Sequence, residues 1–214
     1  MKWLRNVAAL AALAVTAVPA SAQNFKFTSG NPYGTVTGFG FMVGPYRGQL
    51  IGEPGSPTID IFCVDFLGRV QVGQTWTANF TNLGGNLGDT RMVTELGLSQ
   101  GNAQSRYQMA AWLSTQFRMD NKSQWSSIHG TIWNLMEGRT VVSMSPSTQA
   151  YWLGLAAQNA GNINLGEWTI ITDPNGGKQE FLTRDVVPEP ATLILLGSGL
   201  LMLGLVAYRR SGAV

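Results

Sequence analysis

Residues 58–67 read Thr-Ile-Asp-Ile-Phe-Cys-Val-Asp-Phe-Leu, and they give the clearest indication of the architecture. Successive side chains of a strand point to opposite faces. Here both sets are apolar: Ile59, Ile61 and Cys63 on one face, and Phe62, Val64 and Phe66 on the other. A half-exposed strand shows polar residues on one side, so this run is typical of a central strand that is covered on both faces.

The segments around this strand predict strands first, then helices, then strands again. Upstream we expect short strands in Gln23–Val43 and a loop over Gly44–Pro57, which holds three prolines and four glycines. Downstream we expect one or two strands in Val70–Phe80 and a loop over Thr81–Asp89. The remaining predictions are helices over Asn102–Phe117, from a Ser123 cap to Gly138 and from Ser145-Pro146 to Asn159, and strands at Glu167–Thr172 and Glu180–Val187. This order predicts an α+β fold, a single β-rich domain with a central helical region spanning residues 23–185.

The N-terminus has the pattern of a secretory signal peptide over residues 1–22. Lys2 and Arg5 precede an apolar stretch, and small residues lead to a predicted cleavage point between Ala22 and Gln23. We therefore expect an exported protein, for which signal peptidase is one processing partner.

The C-terminal segment, residues 186–214, has three parts. Pro188-Glu189-Pro190 is followed by an uncharged run over residues 191–208, and Arg209 and Arg210 close it. The run has about the length that a helix needs to cross a bilayer. The two arginines predict that this end stays in the cytoplasm. We expect a transmembrane helix over residues 191–208 that anchors the precursor in the inner membrane.

This tripartite tail resembles the PEP-CTERM sorting signal of Gram-negative bacteria. The resemblance implies that an exosortase, a membrane-embedded cysteine protease, recognises Pro188, Glu189 and Pro190 and cuts there. Those three residues are then acted upon by another protein. The resemblance also implies a final location at the cell surface or in the extracellular matrix.

Charge excludes a nucleic-acid-binding function. The chain carries 14 basic and 12 acidic residues, but Lys2, Arg5, Arg209 and Arg210 lie in the two terminal segments, as does Glu189. Residues 23–187 therefore hold 10 basic and 11 acidic side chains, a net charge of −1. Nucleic-acid surfaces need clustered Lys and Arg.

One strand motif and two helix motifs indicate a candidate reactive site. Phe62-Cys63-Val64-Asp65 lies on the central strand, and the later helices contain Gln108-Met109-Ala110-Ala111-Trp112 and His129-Gly130-Thr131-Ile132-Trp133. The layout resembles the thioester domains of bacterial surface adhesins, which carry Phe-Cys-Val-Asp and then Gln-x-Ala-Ile-Trp. In that family Cys and Gln condense with loss of ammonia, and the product captures an amine on a target surface.

The residue that corresponds to the family's Gln is His129, counted back from Trp133, and imidazole cannot form an acyl bond with Cys63 by this route. Gln108 stands in the same relation to Trp112. Two interpretations stay open: a thioester adhesin that uses Cys63 with Gln108, or a domain in which Cys63 is a packed core residue and Gln108 an exposed helix former.

A third interpretation is a Cys63–His129 hydrolase oriented by Asp65 or Asn134. An apolar strand raises the pKa of a thiol, which argues against it. We expect His129 to be packed between aromatic side chains with one hydrogen bond, and Asp65 to make backbone bonds in a turn. The tryptophans of the exported part are interpreted as core residues, with a glycan platform as the alternative.

The sequence shows no metal-ligand spacing and implies no cofactor. The preferred interpretation is a non-enzymatic structural or interaction protein. Its expected partners are the inner membrane, signal peptidase, exosortase and an exopolysaccharide or surface protein.

Overall fold

The computed structural model describes residues 21–30, 32–184, 197, 199–201 and 204, and of Ser21 only the backbone. The described chain forms one α+β domain, built on a six-stranded antiparallel barrel. The strands are β1 (Ser21–Ser29), β2 (Thr37–Gly38), β3 (Phe41–Met42), β4 (Tyr46–Ile51), β5 (Thr58–Cys63), β6 (Thr75–Asn82), β7 (Thr169–Thr172) and β8 (Phe181–Thr183). The helices are α1 (Arg91–Thr94), α2 (Gln100–Ser114), α3 (Trp125–Glu137) and α4 (Pro146–Asn159), with 3₁₀ turns at Met119–Gln124, Ala160–Asn162 and Leu165–Glu167.

The barrel runs in the order β1-β4-β5-β8-β7-β6 and closes by pairing β6 with β1. The pair β2–β3 forms a separate two-stranded hairpin. Strand β5 lies between β4 and β8, with Tyr46 opposite Ile61 and Cys63 opposite Phe181. The predicted central position is confirmed, and the face with Ile59, Ile61 and Cys63 is buried as expected. The opposite face is less covered than predicted, because Phe62 is only half-buried.

Local signals explain the helix ends. The Ser145 hydroxyl accepts a hydrogen bond from the Thr148 N–H and Pro146 is the first residue of α4, so this helix begins as predicted. Gly138 ends α3 in the left-handed region at φ 64°, a conformation that glycine adopts without steric cost.

The predictions for Ser123 and for residues 44–57 are wrong, and α2 ends at Ser114, before the predicted Phe117. Ser123 does not cap α3, since it lies inside the 3₁₀ turn and α3 begins at Trp125. The predicted loop Gly44–Pro57 contains strand β4. Its Gly48 is required because a Cβ there would lie 2.2 Å from the ring of Phe25, so the glycine marks a close approach within the barrel and not a turn.

The predicted targeting segments lie largely outside the described residues. Of the predicted signal peptide, only Ser21 and Ala22 are described, and with Gln23 they begin β1. The Pro188-Glu189-Pro190 motif, Arg209 and Arg210 lie outside. Residues 197, 199–201 and 204 of the predicted membrane segment are helical. Among the described residues, no helix is both long and apolar enough to span a membrane.

Candidate functional site: the Cys63–His129 pair

Cys63 is a buried, free thiol at the end of β5, with 1% of its surface exposed. Its Sγ donates a hydrogen bond to the Asp65 carbonyl at 3.1 Å. Burial raises the pKa of the thiol to about 12, and the nearby Asp65 carboxylate adds to this effect. A thiol with this pKa stays protonated at neutral pH, so Cys63 is not prepared to act as a nucleophile.

His129 lies on α3 beside Cys63 and is fully buried. Its Nδ1 accepts a hydrogen bond from the Gly44 N–H at 2.9 Å, and its Nε2 lies 3.0 Å from the Cys63 carbonyl oxygen. Since a carbonyl only accepts, Nε2 carries the proton, and the ring is neutral with both nitrogens in use. Burial lowers the pKa of His129 to about 3, which fixes this state at neutral pH.

Aromatic rings hold His129 in place. The ring centroid of Trp133 lies 4.2 Å away, that of Phe117 5.4 Å and that of Tyr46 5.7 Å. The predicted packing between aromatic side chains is confirmed, but the ring makes two hydrogen bonds where we expected one. These bonds join α3 to the end of β5 and to Gly44, the residue two positions after the β2–β3 hairpin.

His129 is not placed to act as a base toward the Cys63 thiol, as the hydrolase interpretation requires. Neither ring nitrogen of His129 is directed at the Cys63 thiol, because both bond to backbone groups. Asn134 is also engaged, since its Oδ1 accepts from the N–H groups of Val141 and Val142 and its Nδ2 donates to the Val142 carbonyl and to Gln149. Asn134 therefore fixes the turn after α3.

The structure places the second thioester candidate, Gln108, on α2. The side chain is half-buried, and within the described residues its amide makes no hydrogen bond. The position aligned with the family's Gln, which His129 occupies, is the one that meets the backbone of Cys63.

Asp65 has the predicted turn role and a second role that the sequence did not reveal. Its Oδ1 accepts from the N–H groups of Leu67 and Gly68 at 2.8 and 3.0 Å, which confirms the turn. The same oxygen lies 3.7 Å from Nε of Arg91, a residue only 5% exposed. Asp65 is thus part of a buried ionic group.

We call this group the Arg91 cluster; it consists of Arg91, Asp65, Glu137 and Glu180. Nη2 of Arg91 donates to Glu137 at 2.9 Å, and the Arg91 backbone N–H donates to Glu180 at 3.0 Å. Tyr107 and Thr172 donate their hydroxyls to Glu180 at 2.6 and 2.7 Å. Burial raises the pKa of Glu180 to about 6. Two buried carboxylates, Asp65 and Glu137, therefore pair with the Arg91 guanidinium, and Glu180 is held beside them by the Arg91 backbone N–H.

The tryptophans are mostly core residues, as predicted. Trp125, Trp133, Trp152 and Trp168 are each at most 6% exposed. Trp76 and Trp112 are half-buried. In the part of the chain that the structure describes, no group of three His, Cys, Asp or Glu side chains is arranged to hold a metal ion.

Comparison with known proteins supports the interpretation of the tail. Residues 186–211 match the family model of the PEP-CTERM protein-sorting motif. The chain carries a PEP-CTERM sorting signal. Such a signal indicates an exported, surface-directed protein that exosortase processes. No curated protein matches the sequence.

A search of solved structures finds similarity to the N-terminal thioester domain of a surface protein from Clostridium perfringens. The identity is 10% and the TM-score 0.47, over 77% of this chain and 99% of that one.

Proposed function

We propose that this protein is a non-enzymatic structural or interaction module of the cell surface or extracellular matrix. Its PEP-CTERM signal supports processing by exosortase. The precursor is exported, signal peptidase cleaves it between Ala22 and Gln23, and residues 191–208 hold it in the inner membrane. Cutting at Pro188-Glu189-Pro190 then releases the domain from this anchor.

The observation that carries the proposal is the bonding of His129. The position beside Cys63 where the thioester motif has an amide holds a neutral imidazole with both nitrogens bonded to backbone groups. That ring supplies neither an acyl group for a thioester nor a base for hydrolysis. Its two hydrogen bonds instead connect α3 to Gly44, which follows the β2–β3 hairpin, and to the end of β5. This is a structural role.

Surface attachment tests the proposal. The wild-type chain, Cys63→Ala and Gln108→Ala are expressed in a host with exosortase, and envelope and matrix fractions are boiled in detergent. We expect all three proteins to migrate at their own mass and to partition alike. A high-mass adduct present in wild type and absent from both variants would establish a thioester adhesin instead.

The sorting step has its own test. Replacing Pro188, Glu189 and Pro190 by Ala should leave the uncut precursor in the membrane fraction. An Ala substitution of Pro174, a proline in an exposed turn of the domain, serves as the control and should be processed normally. Equal processing of both variants would contradict exosortase recognition of the motif.

A further inference from the structure

A pocket of about 150 Å³ opens beside the Cys63–His129 pair, and we call it the aromatic pocket. Its walls include Phe41, Phe66, Tyr46 and Trp133, and Arg69 and Gln179 are its polar lining residues. Tyr46 and Trp133 also pack against His129. A cavity of about this volume holds one six-membered ring.

The aromatic walls are close to one another and partly exposed. The ring centroids of Phe66 and Trp133 lie 5.1 Å apart, and those of Phe41 and Phe66 5.2 Å apart with the rings nearly perpendicular. Phe41 is 41% exposed although it is a large apolar side chain. Its ring therefore offers apolar surface to a ligand that enters the pocket.

The β2–β3 hairpin that carries Phe41 is anchored to α3. Phe39 lies in the left-handed region at φ 58°, unusual for a bulky residue, and its ring fills the space left by Gly130. A Cβ at Gly130 would lie 2.7 Å from that ring. The Ser126 hydroxyl also donates to the Thr37 carbonyl at 3.3 Å. The wall is therefore formed before any ligand arrives, which lowers the entropic cost of binding.

Arg69 places a positive charge on this pocket. Its guanidinium carbon lies 5.6 Å from the ring centroid of Phe41 and 6.0 Å from that of Phe66. Nη1 donates to the carbonyls of Phe66 and Gly68, and these bonds fix the orientation of the guanidinium. In the described structure Nε and Nη2 of Arg69 have no protein acceptor. The pocket lining contains no acidic side chain.

Gln179 adds an acceptor to this lining. Its Nε2 donates to the Asp65 carbonyl at 3.2 Å, which orients the amide. Its Oε1 makes no hydrogen bond within the described residues, so it is available to a ligand hydroxyl.

We propose that the aromatic pocket binds a pyranose ring that carries a carboxylate, the hexuronate unit of an acidic polysaccharide. The C–H face of the sugar packs on the aromatic walls, and the carboxylate accepts hydrogen bonds from Nε and Nη2 of Arg69. A neutral sugar makes no use of the Arg69 charge, and a simple anion leaves the aromatic walls uncovered. The inference deepens the proposed function, because it names a matrix component that the exported domain holds.

The test measures calorimetric binding of the detergent-purified full chain to oligogalacturonate and to its methyl ester, which has the same rings without the charge. We expect oligogalacturonate to bind more tightly than the ester. Arg69→Gln and Phe41→Ala should each bind it about tenfold more weakly. Arg139→Gln and Tyr151→Ala change an exposed cation and an exposed aromatic elsewhere and should bind as wild type does.

Three results would overturn the site: no binding of oligogalacturonate, equal binding of the ester, or equal losses in the control variants. Poly-glutamate is measured as well, because it carries carboxylates without a sugar ring, and binding as tight as that of oligogalacturonate would show charge attraction alone. These outcomes are independent of the attachment assay. A covalent adduct through Cys63 would refute the proposed function and leave the sugar site standing.

Discussion

Acidification should destabilise the domain through His129. Protonating Nδ1 would set an N–H against the Gly44 N–H, and burial lowers the pKa of the ring from 6.5 to about 3. The unfolded chain binds a proton below pH 6.5 and the folded chain does not, so stability is full above pH 6.5 and is lost as pH falls toward 3. At 1.36 kcal/mol per pKa unit, the loss is about 5 kcal/mol. Typical domains have a total stability of roughly 5–15 kcal/mol, so this loss is large.

Glu180 opposes this trend over part of the range. Burial raises its pKa from 4.5 to about 6, so its contribution is full below pH 4.5 and is lost as pH rises through 6. The magnitude is about 2 kcal/mol. Between pH 4.5 and 6 the contributions of His129 and Glu180 to the free energy of unfolding change with pH in opposite directions and nearly cancel. The free energy of unfolding should therefore fall slightly from pH 7 to 6, stay level to pH 4.5, and fall steeply below.

Urea unfolding followed by tryptophan fluorescence over this range measures the profile. His129→Gln keeps an acceptor and a donor but does not titrate, so between pH 6 and 4.5 its stability should rise as pH falls. Its intact mass is checked first, because an amide at this position is the group that the thioester motif carries. Glu180→Gln should show a continuous decline below pH 6.5. A His129→Gln profile identical to that of wild type would refute the assignment of His129 as a buried neutral ring.

Three further predictions concern stability and use the same unfolding assay. Gly48→Ala should cost about 1–3 kcal/mol, since its Cβ meets the Phe25 ring, whereas Gly154→Ala in the open interior of α4 should stabilise by about 0.5–1 kcal/mol; equal effects would contradict the packing of β4. Arg91→Met should cost about 3–5 kcal/mol because it leaves buried carboxylates unpaired, and a neutral result would show that the Arg91 cluster is hydrated. Cys63→Ala should cost about 1 kcal/mol, and a much larger loss would mean that the thiol does more than pack.

Local patterns were sufficient to predict much of the secondary structure. The two apolar faces of residues 58–67 predicted β5, and the Ser145-Pro146 and Gly138 signals predicted two helix ends. The barrel was not predicted because it depends on distant pairings, such as Phe25 with both Leu50 and Trp76.

At the site, the sequence predicted burial of Cys63 and packing of His129 among aromatics. It did not predict that His129 bonds to two backbone groups, because Gly44 lies 85 residues away along the chain. The Arg91 cluster was missed for the same reason. Its members come from four separate segments, and each looks like an ordinary surface charge in its own stretch of sequence.

Intact mass and thiol reactivity of the purified chain test whether Cys63 is a packed core thiol. A packed thiol gives the full calculated mass and labels only after denaturation. Cyclisation of an N-terminal Gln23 also removes one ammonia, so the mass is assigned by mapping the peptides that contain Gln23, Cys63 and Gln108. A Cys63 peptide crosslinked to a Gln and lighter by one ammonia, with a thiol that amines release, would show instead that the domain forms a thioester.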